Sequence, residues 1–229
     1  MATRLDLDEQ EQLDALKHFW KQYGNLITWT LVLALGGYAA FNGWNWYQRD
    51  RGAKAGVLYD ELDAAAKAGD ADKAARVFSD MKEHYGATTF AGQAGLLAAK
   101  VQADKGQADA ARTSLEWVAG QASEAEYRVI AKLRLAGLLL DQNKADEALQ
   151  QLPVDPPKAF AGLVADRRGD ILQSQGKAAE AAAAYRSAYE AMSEDDAYRR
   201  LVEAKLMALG AAPGSTPAAA APAASGASQ

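Results

Sequence analysis

From Gln22 to Gln48 the chain carries no charged side chain, and Lys21 and Arg49 bracket this apolar stretch. A helix needs roughly 20 apolar residues to cross a bilayer's hydrocarbon core, and the run from Leu26 to Tyr47, LITWTLVLALGGYAAFNGWNWY, supplies one crossing. Trp20 and Tyr23 stand before it and Trp44, Trp46 and Tyr47 at its far end, where amphipathic rings favour the headgroup layer. A cleaved signal peptide wants a basic start, a shorter apolar core and a small-residue cleavage site. This segment follows a largely acidic leader and ends in bulky aromatics, so the pattern predicts an uncleaved anchor. Gly36 and Ala40, like Ala39 and Gly43, form small-xxx-small pairs, which makes Gly36, Ala40 and Gly43 candidates for packing against another membrane helix. In the leader, Leu5, Leu13, Leu16 and Trp20 fall near helical spacing, which fits an interfacial helix feeding the span or a solvated tail. Three basic residues on each side, Arg4, Lys17 and Lys21 against Arg49, Arg51 and Lys54, leave the orientation undecided by charge.

After Arg51 the pattern changes to a repeat. Four segments align on their turns: Gly69-Asp70-Ala71-Asp72-Lys73-Ala74, Gly106-Gln107-Ala108-Asp109-Ala110-Ala111, Asn143-Lys144-Ala145-Asp146-Glu147-Ala148 and Gly176-Lys177-Ala178-Ala179-Glu180-Ala181. Successive turns lie 37, 37 and 33 residues apart. Gly or Asn can adopt the left-handed conformation that ends a helix, and the alanine five residues later lets the next helix approach closely. Large apolar residues follow at helical spacing: Phe78 and Met81, Leu115 and Val118, Leu152, then Tyr185 with Ala188. The product is a series of helical hairpins.

Turn, small residue and large apolar residue in this order resemble the tetratricopeptide repeat. The fourth unit, RRGDILQSQGKAAEAAAAYRSAYEA, carries the signature at Gly169, Gly176, Ala181, Tyr185 and Ala188. The first unit has Leu62 where the motif wants a small residue, and Pro153, Pro156 and Pro157 cut the third unit short. Stacked hairpins bury their apolar faces against neighbours, and Ser193 to Leu209 is predicted to close the stack, with Ser193 and Asp196 resembling a capping box. Leu201, Leu206 and Leu209 offer this closing helix its apolar side. The expected fold is all-α: a single N-terminal transmembrane helix followed by a tetratricopeptide-like helical-hairpin solenoid. The expected organisation is a leader at 1–22, a span at 23–48, the repeat domain at 49–209, and an uncharged Ala/Pro/Gly/Ser tail at 210–229 with the composition of disorder.

Composition narrows the chemistry. A net charge of −5 with interspersed signs offers no basic face for nucleic acid. The absence of cysteine removes disulfides, thiol catalysis and Cys-based zinc sites together. His18 and His84 lie on opposite sides of the apolar run, and no GxSxG, P-loop, GxGxxG or HExxH motif is present. Asp8-Glu9 and Asp195-Asp196 read as a solvated leader and first-turn helix charge. The chain is expected to be no enzyme, with no catalytic residue, no metal site and no cofactor.

The leader EQEQLDALKHFWKQYGNLI, the exit GGYAAFNGWNWYQRDR followed by AGVLYDEL, the RRGDILQSQGK unit and the terminal VEAKLMALG together resemble the YfgM family of ancillary SecYEG translocon subunits. The resemblance covers the chain from about Asp8 to Leu209. It implies a bacterial inner-membrane protein with a cytoplasmic N-terminus, one span and a periplasmic tetratricopeptide-like domain. It implies, as partners, the SecYEG translocon, a membrane-anchored periplasmic folding factor of the prolyl isomerase type and translocated client proteins. In a tetratricopeptide stack the first helix of each hairpin lines the concave face, which makes Tyr59, Leu96, Lys100, Leu133 and Leu140 candidates for a partner-binding groove. For the four apolar ones, packing between helices is the competing role. A structural scaffold of another cell-envelope assembly is the alternative function.

Overall fold

The computed structural model describes residues 7–212, and the sequence 213–229, expected to be disordered, lies outside them. Helix α1 runs Leu7–Ala68 and is followed by α2 (Ala71–Tyr85), α3 (Thr89–Asp104), α4 (Ala108–Gln121), α5 (Ala125–Asp141) and α6 (Ala145–Gln151). A 3-10 turn at Lys158–Phe160 leads into α7 (Ala161–Ser174), α8 (Ala178–Ala191) and α9 (Ala197–Ala208), and no strand occurs among the described residues. The fold is therefore all-α. Contacts divide the chain after Ala53 into two compact units.

Among the described residues one helix, α1, is long and apolar enough to cross a membrane, and only 6% of its most apolar window is buried. Trp29, Leu33, Phe41 and Trp46 stand out from it, more than half exposed. A core helix of a soluble domain would instead cover such side chains with its own chain. Three polar side chains within the apolar run bond to their own helix. Thr28 Oγ1 donates to the carbonyl of Gly24 at 2.7 Å, Thr30 Oγ1 to that of Leu26 at 2.8 Å, and Asn42 Nδ2 to that of Tyr38 at 3.0 Å. Such bonding one turn back is what hydrocarbon demands of polar atoms.

The second unit is built from its turns. Gly69, Gly106, Asn143 and Gly176 have φ of +66°, +75°, +61° and +74°. In each case the following N–H reaches five residues back: Asp70 to Ala65 O, Gln107 to Gln102 O, Lys144 to Leu139 O and Lys177 to Leu172 O, all at 2.8–3.0 Å. These are Schellman closures, which satisfy carbonyls that a helix end leaves orphaned. Gly210, at φ +70°, repeats the arrangement with the N–H of Ala211 on Leu206 O. It lies 34 residues beyond Gly176, so the turn register continues to the last helix.

Packing follows from the small residues. Ala74, Ala111, Ala148 and Ala181, each five residues past a turn, are fully buried. Phe78, Met81, Leu115, Val118, Leu152, Tyr185 and Ala188 are buried with them. Leu62, the departure from the motif in the first unit, is also fully buried. One apolar core runs from Leu62 through α2–α5 to Ile171, and a second, formed by Leu172, Ala181, Tyr185, Val202 and Leu206, joins α7 to α8 and α9. Pro153 follows the short α6, as the sequence predicts, yet Leu152 at its end still reaches the first core.

The closing helix differs from expectation in two respects. It starts at Ala197, not Ser193, because Asp196 caps it: its carboxylate accepts the N–H of Tyr198 at 2.9 Å. The N–H of Asp196, which a Ser193 hydroxyl would have taken in a capping box, goes to the Ser193 carbonyl. Leu201 is 48% exposed, and Val202, fully buried, takes the inward position beside Leu206.

Candidate protein-binding groove

The first helices of the hairpins are the Lys54–Ala68 part of α1, then α3, α5 and α7. Their exposed sides form a groove. A recess of about 450 Å³ is lined from α3 by Lys100 and Asp104, from α5 by Arg134, Gly137 and Asp141, and from α7 by Arg167. A second recess of about 230 Å³, between α1 and α3, is lined by Asp63, Lys67 and Lys105 and shares Lys100 and Asp104 with the first. The shared residues make one strip crossing four helices.

Two ion pairs are closed within it: Lys67 to Asp63 and Lys100 to Asp104, each at 2.6 Å. Arg134 donates one N–H to the carbonyl of Leu96 at 3.0 Å. Its guanidinium has five donors in all, so this bond anchors it without consuming it. Arg167 leans over Gly137, where the missing side chain leaves its guanidinium 3.7–3.9 Å from the position a Cβ would take.

The five candidates from the sequence divide. Lys100 lines both recesses. Leu96 is buried in the first core. Tyr59 is half-buried, its ring 5.7 Å from that of Phe90, and Leu133 and Leu140 are half-buried against the same core. Gly36, Ala40 and Gly43 are exposed along α1, with nothing within 4 Å of a Cβ built on either glycine.

Arg134, Arg167, Asp104 and Asp141 were not among those candidates, although the repeat register holds a signal for them. Arg134 and Arg167 each stand two residues before the small residue of their unit, Ala136 and Gly169. Asp104 and Asp141 each stand five residues after theirs, Ala99 and Ala136.

In the fourth unit the position equivalent to Tyr59, Leu96 and Leu133 is Asp166, only 3% exposed. Lys205 Nζ bonds Asp166 at 2.7 Å and Asp170 at 2.6 Å, while the Tyr198 hydroxyl donates to Asp166 and that of Tyr185 to Asp170, both at 2.8 Å. A buried carboxylate is tolerated only with such partners. Burial first, and hydrogen bonding to Asp166 second, push the Tyr198 phenol up to about 12. Burial and Asp170 push Tyr185 up as well. The cluster locks α9 onto α7 and α8, and its members satisfy one another. Among the described residues no group of His, Cys, Asp or Glu side chains is placed to hold a metal ion.

An apolar membrane-length helix joined in sequence to stacked hairpins defines a membrane-anchored repeat protein of the tetratricopeptide class. A family model described as a tetratricopeptide repeat-like domain matches residues 17–211. The chain is 32% identical over 207 residues to an ancillary SecYEG translocon subunit of Neisseria gonorrhoeae, covering 89% of this chain and 98% of that one. It is 29% identical to the protein of that name from Escherichia coli (86% and 92% covered) and 25% identical to that from Haemophilus influenzae (82% and 92%). The chain belongs to the YfgM family of ancillary SecYEG translocon subunits, and to the wider tetratricopeptide-like family.

Proposed function

We propose that this chain is a non-enzymatic, membrane-tethered subunit of the Sec translocation machinery that captures partner polypeptides on its repeat domain. The observation that carries the reading is the pairing, in one chain, of an uncovered apolar helix with a repeat domain bearing an open charged groove. Support for the Sec assignment comes from relatives named as ancillary SecYEG translocon subunits that align over most of their length. The protein sits in the bacterial inner membrane, with its N-terminus in the cytoplasm and its repeat domain in the periplasm. There it associates with SecYEG and with a membrane-anchored chaperone of the prolyl isomerase type, and helps translocated clients fold or move on. Tethering concentrates the groove where chains emerge, so weak individual contacts suffice.

The test is site-specific photocrosslinking in intact cells, with probes at Gly37 in the span and at Lys100 in the groove. Adducts with translocon subunits from Gly37, and with a periplasmic folding factor or clients from Lys100, are expected. Adducts confined to a different envelope complex would reject the Sec assignment and favour the scaffold alternative.

A further inference from the structure

The groove inverts the charge of the molecule. The chain carries a net charge of −5, yet five basic side chains line the strip against three acidic ones. Two of the acids, Asp63 and Asp104, are already committed to Lys67 and Lys100. Lys105 and Arg134 form no ion pair among the described residues, and Arg167 has only a loose one, 3.9 Å from an Asp170 that already holds Lys205. The surplus of positive charge is therefore available to a ligand. Arg134 and Arg167 are also regularly placed, each two residues before the small residue of its unit on the successive first helices α5 and α7, while Lys105 follows the end of α3 beside Gly69.

Packed helices stand about 8–10 Å apart and an extended chain advances about 3.3 Å per residue, so cations on neighbouring helices match carboxylates roughly every third residue. We infer that the groove binds an extended acidic polypeptide segment, two of whose carboxylates meet Arg134 and Arg167 in turn, with Lys105 adding positive charge in the neighbouring recess. This deepens the capture reading, on which it rests, by naming the chemistry of what is captured. A strip across four helices accommodates about nine extended residues. Guanidinium groups suit the role because they take carboxylates in bidentate fashion.

The experiment uses the full-length protein in a non-ionic detergent and a fluorescein-labelled synthetic peptide with Asp at every third position in a Gly/Ser background. Anisotropy is expected to show binding that weakens with salt. A peptide with Lys in place of Asp should bind at least about tenfold more weakly, as a pair of unit charges changing sign near a surface implies. Arg134→Glu and Arg167→Glu should each weaken binding by about tenfold or more, whereas Lys177→Glu, the same charge change at an exposed turn outside the groove, should alter it less than about twofold. Should a reversal variant lose its helical circular dichroism, Arg134→Gln with Arg167→Gln decides: undiminished binding in that folded pair overturns the inference. It is equally overturned if the Lys peptide binds as tightly as the Asp peptide, if Lys177→Glu weakens binding as much as Arg134→Glu, or if a single-stranded oligonucleotide of equal charge displaces the peptide as readily as unlabelled peptide. Crosslinks from Lys100 in cells that persist when peptide binding fails would reject the acidic-ligand inference alone and leave capture standing.

Discussion

A Cβ added at Gly169 would stand 2.4 Å from Cε1 of Tyr185, whose ring is fully buried and whose hydroxyl is held by Asp170 at 2.8 Å. Neither the ring nor the helix has room to move without breaking that bond. Gly169→Ala is expected to destabilise the domain by about 1–3 kcal/mol, the usual cost of overpacking, read as a lower midpoint in urea unfolding. Tyr198 supplies a second test. Its phenol is raised to about 12 in the folded state, against about 10 in an unfolded chain. The folded protein holds this proton more tightly, so the stabilisation is complete below pH of about 10 and is lost as pH rises through about 12. Tyr198→Phe should therefore cost about 1 kcal/mol at neutral pH, the worth of one hydrogen bond. That deficit should shrink as unfolding is measured at successively higher pH from about 10 to 12.

Helix ends are where local chemistry and packing can be separated. Gly106 and Asn143 occupy equivalent left-handed turns, at φ +75° and +61°, with open space around the glycine. A Cβ in that conformation costs about 1–2 kcal/mol. Gly106→Ala should accordingly destabilise by about that amount, while Asn143→Gly should be neutral or stabilising by a few tenths of a kcal/mol, because Asn tolerates the region better than Ala. Thermal unfolding of the two variants should thus move in opposite directions or by very unequal amounts. A common fall would mean that the turns act through side-chain contacts rather than backbone conformation. These turns were readable in advance, since only Gly and Asn combine ready access to positive φ with a place between apolar runs. The start of α9 was not: Ser193 and Asp196 both offer a capping oxygen, and the choice of Asp196 was made by where the helix had to begin for Val202 and Leu206 to reach the second core.

At the scale of the molecule, the apolar stretch of α1 carries the membrane assignment. Leu33 stands 71% exposed in its middle, and an arginine at such a position costs about 2.5–3.5 kcal/mol of insertion. Leu33→Arg is expected to shift a measurable share of the protein from the carbonate-resistant membrane pellet to the supernatant, whereas Val57→Arg, exposed on the repeat-domain side of the same helix, should not. The span and the hairpins were legible along the chain because each is a local property: charge-free length in one case, turn residues at a near-constant interval in the other. The groove was legible only in part. Lys100, a candidate from the repeat register, lines both recesses, but Arg134, Arg167, Asp104 and Asp141 do not stand out in that register because no single hairpin shows which polar positions face one another. Leu96 was open between groove and inter-helix packing and lies in the core, because a helix rotated by a few tens of degrees moves one residue in and its neighbour out. Asp166 is the extreme case. A charged residue reads as solvated, and only the convergence of Lys205, Tyr198, Asp170 and Tyr185 from three helices makes its burial possible. Periodicity thus gives the order of the helices and the general run of their apolar sides, since both depend on near neighbours in sequence, but not the exact start of α9 or the rotation that buries Val202 in place of Leu201. Which charges meet, and which are left over for a ligand, depends on contacts between residues some 30–40 positions apart and emerges only when the hairpins stack.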